Sequence, residues 1–202
     1  MSELDWAQKY RPKCFDDVIL DAALKEKLKG FVDCRGGMSL LFYGKPGSGK
    51  TTVAKLINPE NTYYINCSLK NSVDTIRWIE KTFRSRSLFD ERRLLLLDEG
   101  DHLTPEAQAA IRGVAEELSV NNDFVITANN PNILTDAIRS RFKPVKFDLN
   151  IEGVDELVRQ RLEEILKLEG HDELDEALWR ECLRWYPDMR RMIKTLQFEL
   201  SK

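Results

Sequence analysis

Eight consecutive residues of this chain have the types and order that bind the phosphates of a nucleotide. They run Gly44-Lys45-Pro46-Gly47-Ser48-Gly49-Lys50-Thr51 and fit the pattern G-x-x-x-x-G-K-[ST]. In this pattern the glycines let backbone N–H groups turn toward a triphosphate, the lysine reaches its β and γ phosphates, and the threonine hydroxyl completes a Mg²⁺ shell. A predicted strand precedes the motif and a predicted helix follows it, which disfavours the alternative of a chance glycine-rich turn. The sequence therefore predicts a site for ATP or GTP.

An acidic pair directly after a run of four leucines predicts the second half of this site. Residues 94–97 read as a buried parallel strand, and Asp98 and Glu99 follow it. Parallel strands carry functional residues at their carboxyl ends, beside the phosphate loop. There Asp98 would hold Mg²⁺ together with Thr51, and Glu99 would polarise the attacking water. The alternative is an acidic cap of the next helix. A carboxylate that activates water favours hydrolysis over phosphoryl transfer to another substrate.

Composition limits the class of protein. The 202 residues suffice for one substantial core and a small second one. The formal net charge of −3 gives no overall attraction to nucleic acid, so such a partner would need a local basic patch. The four cysteines lack metal-type spacing, the N-terminus is polar and acidic, and no apolar run has the length of a bilayer. We expect a reduced, cytosolic protein that makes no membrane contact.

The elements that would position these residues alternate along the chain. Helices are predicted at residues 22–34, 50–57, 73–86 and 105–118, and strands at residues 40–43, 62–67, 94–97, 123–128 and 145–147. Such alternation predicts an α/β fold, a parallel sheet with helices on both faces. Three more helices are predicted at residues 152–169, 172–185 and 188–200. With a boundary near Asn150, residues 1–149 form the nucleotide-binding domain and residues 150–202 a small helical domain.

Several motifs in the same order resemble those of the AAA+ ATPases, and within them the sliding-clamp loader subunits of replication factor C and of tailed phages. Residues 6–12 are similar to W-x-x-K-Y-R-P and residues 107–112 to A-Q-x-A-L-R. Residues 140–142 match S-R-C apart from Phe142, and residues 188–197 match D-M-R-R…L-Q. The resemblance covers the chain nearly end to end. It implies a P-loop AAA+ sheet followed by a three-helix lid, ATP hydrolysis with Mg²⁺, and a cytoplasmic location, in the host cytoplasm for a phage protein.

The resemblance also assigns roles to single residues around the nucleotide. It implies that Asn129 orients the attacking water, for which a turn at the end of the strand is the alternative, and that Arg190 reaches the phosphates of its own subunit. Arg141 would reach into the site of a neighbouring subunit; an ordinary surface arginine is its alternative. Asn66 resembles a polar residue that draws the catalytic glutamate away from its water, and capping of the next helix is an equal alternative.

Two sets of contact residues follow for the nucleotide. The resemblance places the base among Tyr10, Arg11, Val18 and Ile19. This pocket favours ATP over GTP, because the N-K-x-D type of guanine reader does not occur in the sequence. The predicted phosphate contacts are Gly44, Pro46, Gly47, Ser48, Gly49, Lys50, Thr51, Thr52 and Arg190.

The resemblance further implies partners. Subunits of this type assemble into a ring or spiral, here a pentamer, that places a sliding clamp on primer-template DNA. We expect DNA backbone contacts from Arg77, Lys81, Arg84 and Arg112, for which a solvated helix face is the common alternative. The clamp would dock on residues 68–86 and 87–92.

The same family normally continues past the lid into a helical collar, whereas this sequence stops at Lys202, so we expect a chain without the collar domain. The sequence leaves two alternative functions open. One is another DNA-associated AAA+ ATPase, such as a helicase loader or a branch-migration ATPase. The other is a non-hydrolysing structural subunit.

Overall fold

Five parallel strands form a single sheet in the computed structural model, which describes residues 5–32, 37–84, 92–148, 153–171 and 173–201. The strands are β1 Ser39–Gly44, β2 Thr62–Asn66, β3 Arg93–Asp98, β4 Asn122–Ala128 and β5 Lys143–Phe147. Their order across the sheet is β2-β3-β4-β1-β5, and every neighbouring pair is parallel. Only β4 lies between β1 and β3, so the two predicted nucleotide motifs emerge close together at the carboxyl edge. The predicted parallel sheet is confirmed.

Nine α-helices occur within the described ranges. They are α1 Trp6–Lys9, α2 Ala22–Val32, α3 Lys50–Ile57, α4 Val73–Arg84, α5 Pro105–Leu118, α6 Asp136–Arg141, α7 Val154–Leu168, α8 Glu176–Leu183 and α9 Met189–Leu200. The sequence reading missed α1 and α6, because four and six residues are too short to show a helical period. The predicted helix ends at residues 34, 86, 152 and 172 lie outside the described residues. None of the helices described is long and apolar enough to cross a membrane.

Strand residues alternate between two apolar layers, which is why the sheet carries helices on both sides. One layer packs with α2 and α3 and contains Leu40, Phe42, Leu94, Leu96 and Val125. The other packs with α4, α5 and α6 and contains Leu41, Leu95, Leu97, Phe124 and Ile126. The sheet is thus the middle of three layers, as the alternating sequence predicts.

Helices α7, α8 and α9 enclose a third, separate apolar core. Trp6 of α1 is buried in it, and the Trp6 backbone N–H donates to Gln197 Oε1 at 2.9 Å. The predicted boundaries place residues 1–149 in the nucleotide-binding domain, whereas these contacts attach α1 to the helical lid. The chain therefore passes from the lid into the sheet domain near Tyr10, beside the predicted base pocket.

Candidate functional site: a nucleotide cavity

One cavity at the carboxyl edge of the sheet brings the predicted nucleotide residues together. The phosphate loop supplies its floor, the ends of β3 and β4 one side, and the N-terminal segment and the lid the other. Every predicted nucleotide contact except Gly44 lines it, as do Asp98, Glu99 and Asn129. The predicted residues that line the cavity are Tyr10, Arg11, Val18, Ile19, Pro46, Gly47, Ser48, Gly49, Lys50, Thr51, Thr52, Asp98, Glu99, Asn129 and Arg190.

The phosphate loop has the backbone and the free donors that an anion needs. Gly47 and Gly49 adopt φ values of 74° and 90°, which L side chains rarely tolerate. Gly49 precedes α3 without a side-chain cap, so the first N–H groups of that helix remain available. Ser48 is buried, and its Oγ has no hydrogen-bond partner among the described residues. A buried, unpaired hydroxyl beside free backbone donors fits a phosphate group.

Lys50 is buried at the base of this loop. Its Nζ donates to the carbonyl oxygens of Gly44 and Lys45 at 2.9 and 2.8 Å, and to Asn129 Oδ1 at 3.1 Å. Burial lowers the pKa of Lys50 below its ordinary value of 10.5, while the nearby charge of Asp98 acts in the opposite direction. All three acceptors are neutral, so the buried ammonium has no direct carboxylate partner within the described ranges. A triphosphate would supply the missing negative charge.

Asp98 and Thr51, the two predicted Mg²⁺ residues, are in direct contact. Asp98 Oδ1 accepts from Thr51 Oγ1 and from Thr127 Oγ1, each at 2.6 Å. Oδ2 accepts from the Tyr64 hydroxyl at 3.0 Å. Partial burial, with the Asp98 charge, raises the pKa of Tyr64 to about 12, so this hydroxyl keeps its proton and donates. Carboxylate and hydroxyl oxygens are the donor types that Mg²⁺ prefers.

These two residues would need further ligands to complete a magnesium shell. The described residues contain no cluster of three or more histidine, cysteine or acidic side chains that could hold a metal ion unaided. Mg²⁺ in nucleotide sites is typically bound through one or two carboxylates together with substrate phosphates and water. The donor set of Asp98 and Thr51 therefore fits a magnesium ion that arrives with a nucleotide.

Glu99 leaves the strand in an unusual backbone conformation. Its φ and ψ are 56° and 45°, and it is the one residue other than glycine with positive φ among those described. Its N–H donates to Thr127 Oγ1 at 3.0 Å, and a Cβ added to the following Gly100 would lie 2.3 Å from Ile126 Cγ2. The left-handed conformation costs about 1–2 kcal/mol for a residue with a Cβ. Such strain concentrates at functional sites, and here it turns Glu99 toward the cavity.

The family model described as "ATPase family associated with various cellular activities (AAA)" matches residues 40–148, which include the phosphate loop, Asp98 and Glu99. The chain belongs to the AAA family. Among curated proteins, replication factor C small subunit 2 of Pyrobaculum aerophilum is 35% identical over 207 residues, 98% of this chain and 64% of the relative. The replication factor C small subunit of Thermofilum pendens is 35% identical over 210 residues, 98% of this chain and 63% of the relative. The chain thus spans less than two thirds of these relatives.

Solved structures agree on the AAA fold. Two mutants of RuvB from Thermotoga maritima match with TM-scores of 0.76 and 0.75. They cover 96% and 95% of this chain, and the match spans 66% and 65% of their own chains. Both are 20% identical to it in sequence, so this likeness concerns the fold alone.

The predicted base pocket of this AAA chain lies where the N-terminal segment meets the lid. The Tyr10 hydroxyl donates to Glu169 Oε1 at 2.6 Å, and Arg11 Nε donates to Thr52 Oγ1 at 3.1 Å. Arg161 of α7 donates to the Tyr10 carbonyl at 3.2 Å and lines the same cavity. Residues from the phosphate loop, the N-terminal segment and the lid are therefore linked around the predicted base position.

Arg190 lies at the start of α9, where the lid meets the phosphate loop. Asp188 caps this helix, since its Oδ1 accepts from the backbone N–H of Arg190 at 3.1 Å and of Arg191 at 3.2 Å. A Cβ added to Gly47 would lie 2.1 Å from the same Oδ1. This close approach explains why Arg190 lines the cavity, whereas Arg191 packs over the Trp185 ring at 5.0 Å.

Arg141 does not line the cavity of its own chain. Its Nη2 donates to the Ala115 carbonyl at 2.9 Å and to Ser119 Oγ at 3.1 Å, while its Nε is buried without a partner among the described residues. Arg141 precedes β5, which is parallel to β1, so it lies at the amino edge of the sheet. The phosphate loop follows the carboxyl edge, about 13 Å away along a five-residue strand. Action in a neighbouring site stays a prediction.

The Asn66 side chain is used in a local turn. Its Oδ1 accepts from the backbone N–H of Ser68 at 2.8 Å and from Ser68 Oγ at 2.6 Å. Within the described ranges no hydrogen bond joins it to Glu99. Asn66 thus stabilises the turn after β2, and it does not cap α4, which begins at Val73. Its regulatory role stays a prediction.

The four predicted DNA contacts are all exposed, on α4 and α5. Three of them are paired with carboxylates: Arg77 with Asp74, Arg84 with Glu80 and Glu117, and Arg112 with Glu116. Lys81 has no carboxylate partner among the described residues. Arg84 bridges the two helices, which gives it a structural role as well. In the predicted clamp-docking segments, residues 85–91 lie outside the described ranges.

Sequence reasoning missed three residues of this site. The sequence could have indicated Thr127, because it is a polar residue in the otherwise apolar run 124–128 and precedes Asn129 by two positions. Nothing in the sequence pattern indicates that Tyr64 and Arg161 belong to the site. Their contacts depend on which strands are neighbours and on how the lid docks.

Proposed function

We propose that this AAA chain is an ATP-hydrolysing subunit of a DNA sliding-clamp loader. In this proposal ATP binding and DNA-stimulated hydrolysis are coupled to clamp loading during replication. The ATPase part of this proposal rests on one observation: a single cavity is lined by Lys50, Thr51, Asp98 and Glu99. The replication half is supported by the 35% identity to replication factor C small subunits over 98% of the chain.

The chain's own groups account for binding. Lys50 now donates to neutral oxygens, and charged phosphate oxygens are stronger acceptors for an ammonium group. The unpaired Ser48 hydroxyl and the N–H groups at the start of α3 add neutral donors. Tyr10, Arg11, Val18 and Ile19 would enclose the base, which we take to be adenine.

The same residues account for hydrolysis. Glu99 would accept a proton from the attacking water, and Asn129, whose amide can both donate and accept, would orient that water. Thr51 and Asp98 would hold Mg²⁺, which when bound neutralises charge on the β and γ phosphates. Since Asn129 bonds to Lys50 at 3.1 Å, the water-orienting group and the phosphate-binding group are already connected.

Two arginines would connect this chemistry to assembly. Arg190 would sense the phosphates from the lid, where the contact between Gly47 and Asp188 makes the lid position dependent on the phosphate loop. Arg141 would act in the site of a neighbouring subunit, since it lies at the opposite edge of its own sheet. We therefore propose a ring or spiral of subunits, a pentamer by the family's pattern.

The remaining partners are proposed on the same basis. Primer-template DNA would contact Lys81, Arg77, Arg84 and Arg112 through its backbone, and the clamp would dock beside α4. Free cysteines at positions 14, 67 and 182 suit a reducing compartment, so we place the protein in the cytoplasm, the host's cytoplasm for a phage protein.

An ATPase assay on three proteins tests the proposal. The wild type, Lys50→Ala and Glu99→Gln would be compared for binding of a fluorescent ATP analogue and for phosphate release, with and without a synthetic primer-template duplex and candidate clamps. We expect Lys50→Ala to lose nucleotide affinity. Glu99→Gln should bind ATP but lose turnover, because the amide keeps the shape and cannot act as a base.

Three outcomes would contradict the proposal. Normal turnover by Glu99→Gln would place the base elsewhere, and unchanged affinity of Lys50→Ala would refute the phosphate site. A wild type that binds ATP but never hydrolyses it, even with DNA and clamp, would favour a structural subunit.

A further inference from the structure

The hydroxyl of Tyr64 reaches the carboxylate that is proposed to hold Mg²⁺, although Tyr64 belongs to none of the nucleotide motifs. Tyr64 lies on β2, the edge strand beside β3, in register with Leu96. Residues in register on neighbouring parallel strands face the same side of the sheet, and Asp98 is two positions beyond Leu96 on that side. The register thus brings the Tyr64 hydroxyl to 3.0 Å from Asp98 Oδ2.

The hydrogen bonds around Asp98 are divided between its two oxygens. Oδ1 accepts from Thr51 and Thr127, whereas Oδ2 accepts only from Tyr64 among the described residues. Thr51 is itself a proposed magnesium residue, so the two donors to the carboxylate that are not magnesium residues are Thr127, which also accepts from the Glu99 N–H, and Tyr64. Tyr64 is the one that fixes the second oxygen and hence the rotation of the carboxylate plane.

The ring of Tyr64 is held in place from α3. Lys55 Nζ lies 4.2 Å from the ring centroid, a cation–π contact. The side chain is 44% exposed, so its ring contributes little to the buried core. Its hydroxyl nevertheless ends at a buried carboxylate, an arrangement that a merely structural edge residue does not need.

We propose that Tyr64 is a positioning residue of the metal site, which holds Asp98 in the orientation that binds the magnesium ion of Mg²⁺–ATP. This inference rests on the proposed ATPase function. Hydrogen-bond partners of metal ligands typically change metal affinity 10- to 100-fold when they are removed. Because Thr127 would still hold the other oxygen, we expect the lower end of this range for loss of the Tyr64 hydroxyl.

The chain offers a matched control in the adjacent residue. Tyr63 is 41% exposed on the same strand but faces the other side of the sheet, where its ring meets Phe83 at 5.1 Å. Tyr64→Phe and Tyr63→Phe each remove one hydroxyl from a half-exposed ring of β2. The two variants should therefore have similar thermal stability, and only the first should disturb the metal site.

The test measures metal binding directly and turnover separately. Free Mn²⁺ would be titrated by electron paramagnetic resonance into wild type, Tyr64→Phe and Tyr63→Phe, each saturated with a non-hydrolysable ATP analogue. We expect the Mn²⁺ dissociation constant of Tyr64→Phe to rise about tenfold, with Tyr63→Phe equal to wild type. The Mg²⁺ concentration for half-maximal hydrolysis should rise in parallel, while the KM for ATP at saturating Mg²⁺ stays unchanged.

Two results would overturn the inference while leaving the ATPase proposal intact. One is a Tyr64→Phe variant with wild-type Mn²⁺ affinity, and the other is an equal loss of affinity in Tyr63→Phe. A wild type that binds neither the analogue nor Mn²⁺ would overturn the ATPase proposal and this inference together. The wild-type titration thus distinguishes the two failures.

Discussion

Replacing Glu99 by glycine should make the protein more stable than replacing it by alanine. Both variants remove the whole carboxylate and keep the backbone N–H that donates to Thr127 Oγ1. They differ only in the Cβ, which is strained at the observed φ of 56°. The left-handed conformation costs a residue with a Cβ about 1–2 kcal/mol, and glycine loses about 0.5–1 kcal/mol more chain entropy on folding.

The net expectation is an advantage of about 1 kcal/mol for Glu99→Gly over Glu99→Ala. In a protein of this size such a difference raises Tm by about 2–4 °C. The assay is thermal unfolding followed by circular dichroism, with urea denaturation as a second measurement.

Glu116 provides the control, because it is exposed within α5. At a helical position glycine is less favourable than alanine by about 1 kcal/mol, so Glu116→Gly should be less stable than Glu116→Ala. The sign of the difference between glycine and alanine should therefore be opposite at the two sites. If Glu99→Gly is the less stable variant at position 99 as well, Glu99 does not have the left-handed conformation, and the argument from backbone strain fails.

Three further predictions follow from the site. Gly47→Ala should weaken ATP binding at least tenfold, because its Cβ would lie 2.1 Å from Asp188 Oδ1. The control variant Gly113→Ala, whose Cβ would have nothing within 4 Å, should bind ATP normally. Equal ATP affinities of the two variants in calorimetry would refute the contact between the lid and the phosphate loop. Burial lowers the pKa of Lys50 in the free protein, and bound phosphates would raise that pKa again, so ATP binding takes up a proton. ATP affinity should therefore fall as the pH rises toward 10.5. An ATP affinity that does not change with pH in that range would argue against a buried Lys50 at the phosphates. In a Cys34→Ser background a thiol reagent at neutral pH should modify only the exposed Cys14, because burial raises the pKa of Cys67 and Cys182 to about 12. Rapid reaction of all three thiols in the native protein would contradict the burial of Cys67 and Cys182.

The sequence is sufficient to predict the parts of the site that are contiguous in the chain. The phosphate loop and the pair Asp98 and Glu99 are short motifs, each following an apolar strand, and the parallel sheet brings their ends to one edge. Contacts between distant segments could not be predicted in this way. The hydrogen bond from Tyr64 to Asp98 depends on the register of β2 against β3.

The contacts of the lid with the sheet domain could not be predicted from the sequence for the same reason. The approach of Asp188 to Gly47 depends on how the lid docks, and the resemblance suggested only that Arg190 would be nearby. The placement of Trp6 in the lid core likewise follows from a contact between residues 191 positions apart, that of its backbone N–H with Gln197. Periodicity reports local structure and carries no information about such pairs.

The central claim is that each ATP site is completed by Arg141 of a neighbouring subunit, and a mixing experiment tests it most directly. Arg141→Ala subunits keep their own phosphate site but offer no arginine to the neighbouring site. Lys50→Ala subunits offer Arg141 to the neighbouring site but lack a working phosphate site of their own. Arg141→Ala alone should hydrolyse ATP with DNA about a thousandfold more slowly than wild type, the usual scale for loss of an arginine finger, and Lys50→Ala alone should be inactive because it does not bind ATP tightly. Mixed together, they should regain activity wherever an intact Lys50 site faces an intact Arg141. A mixture as inactive as its components, with assembly confirmed by sedimentation, would contradict the claim.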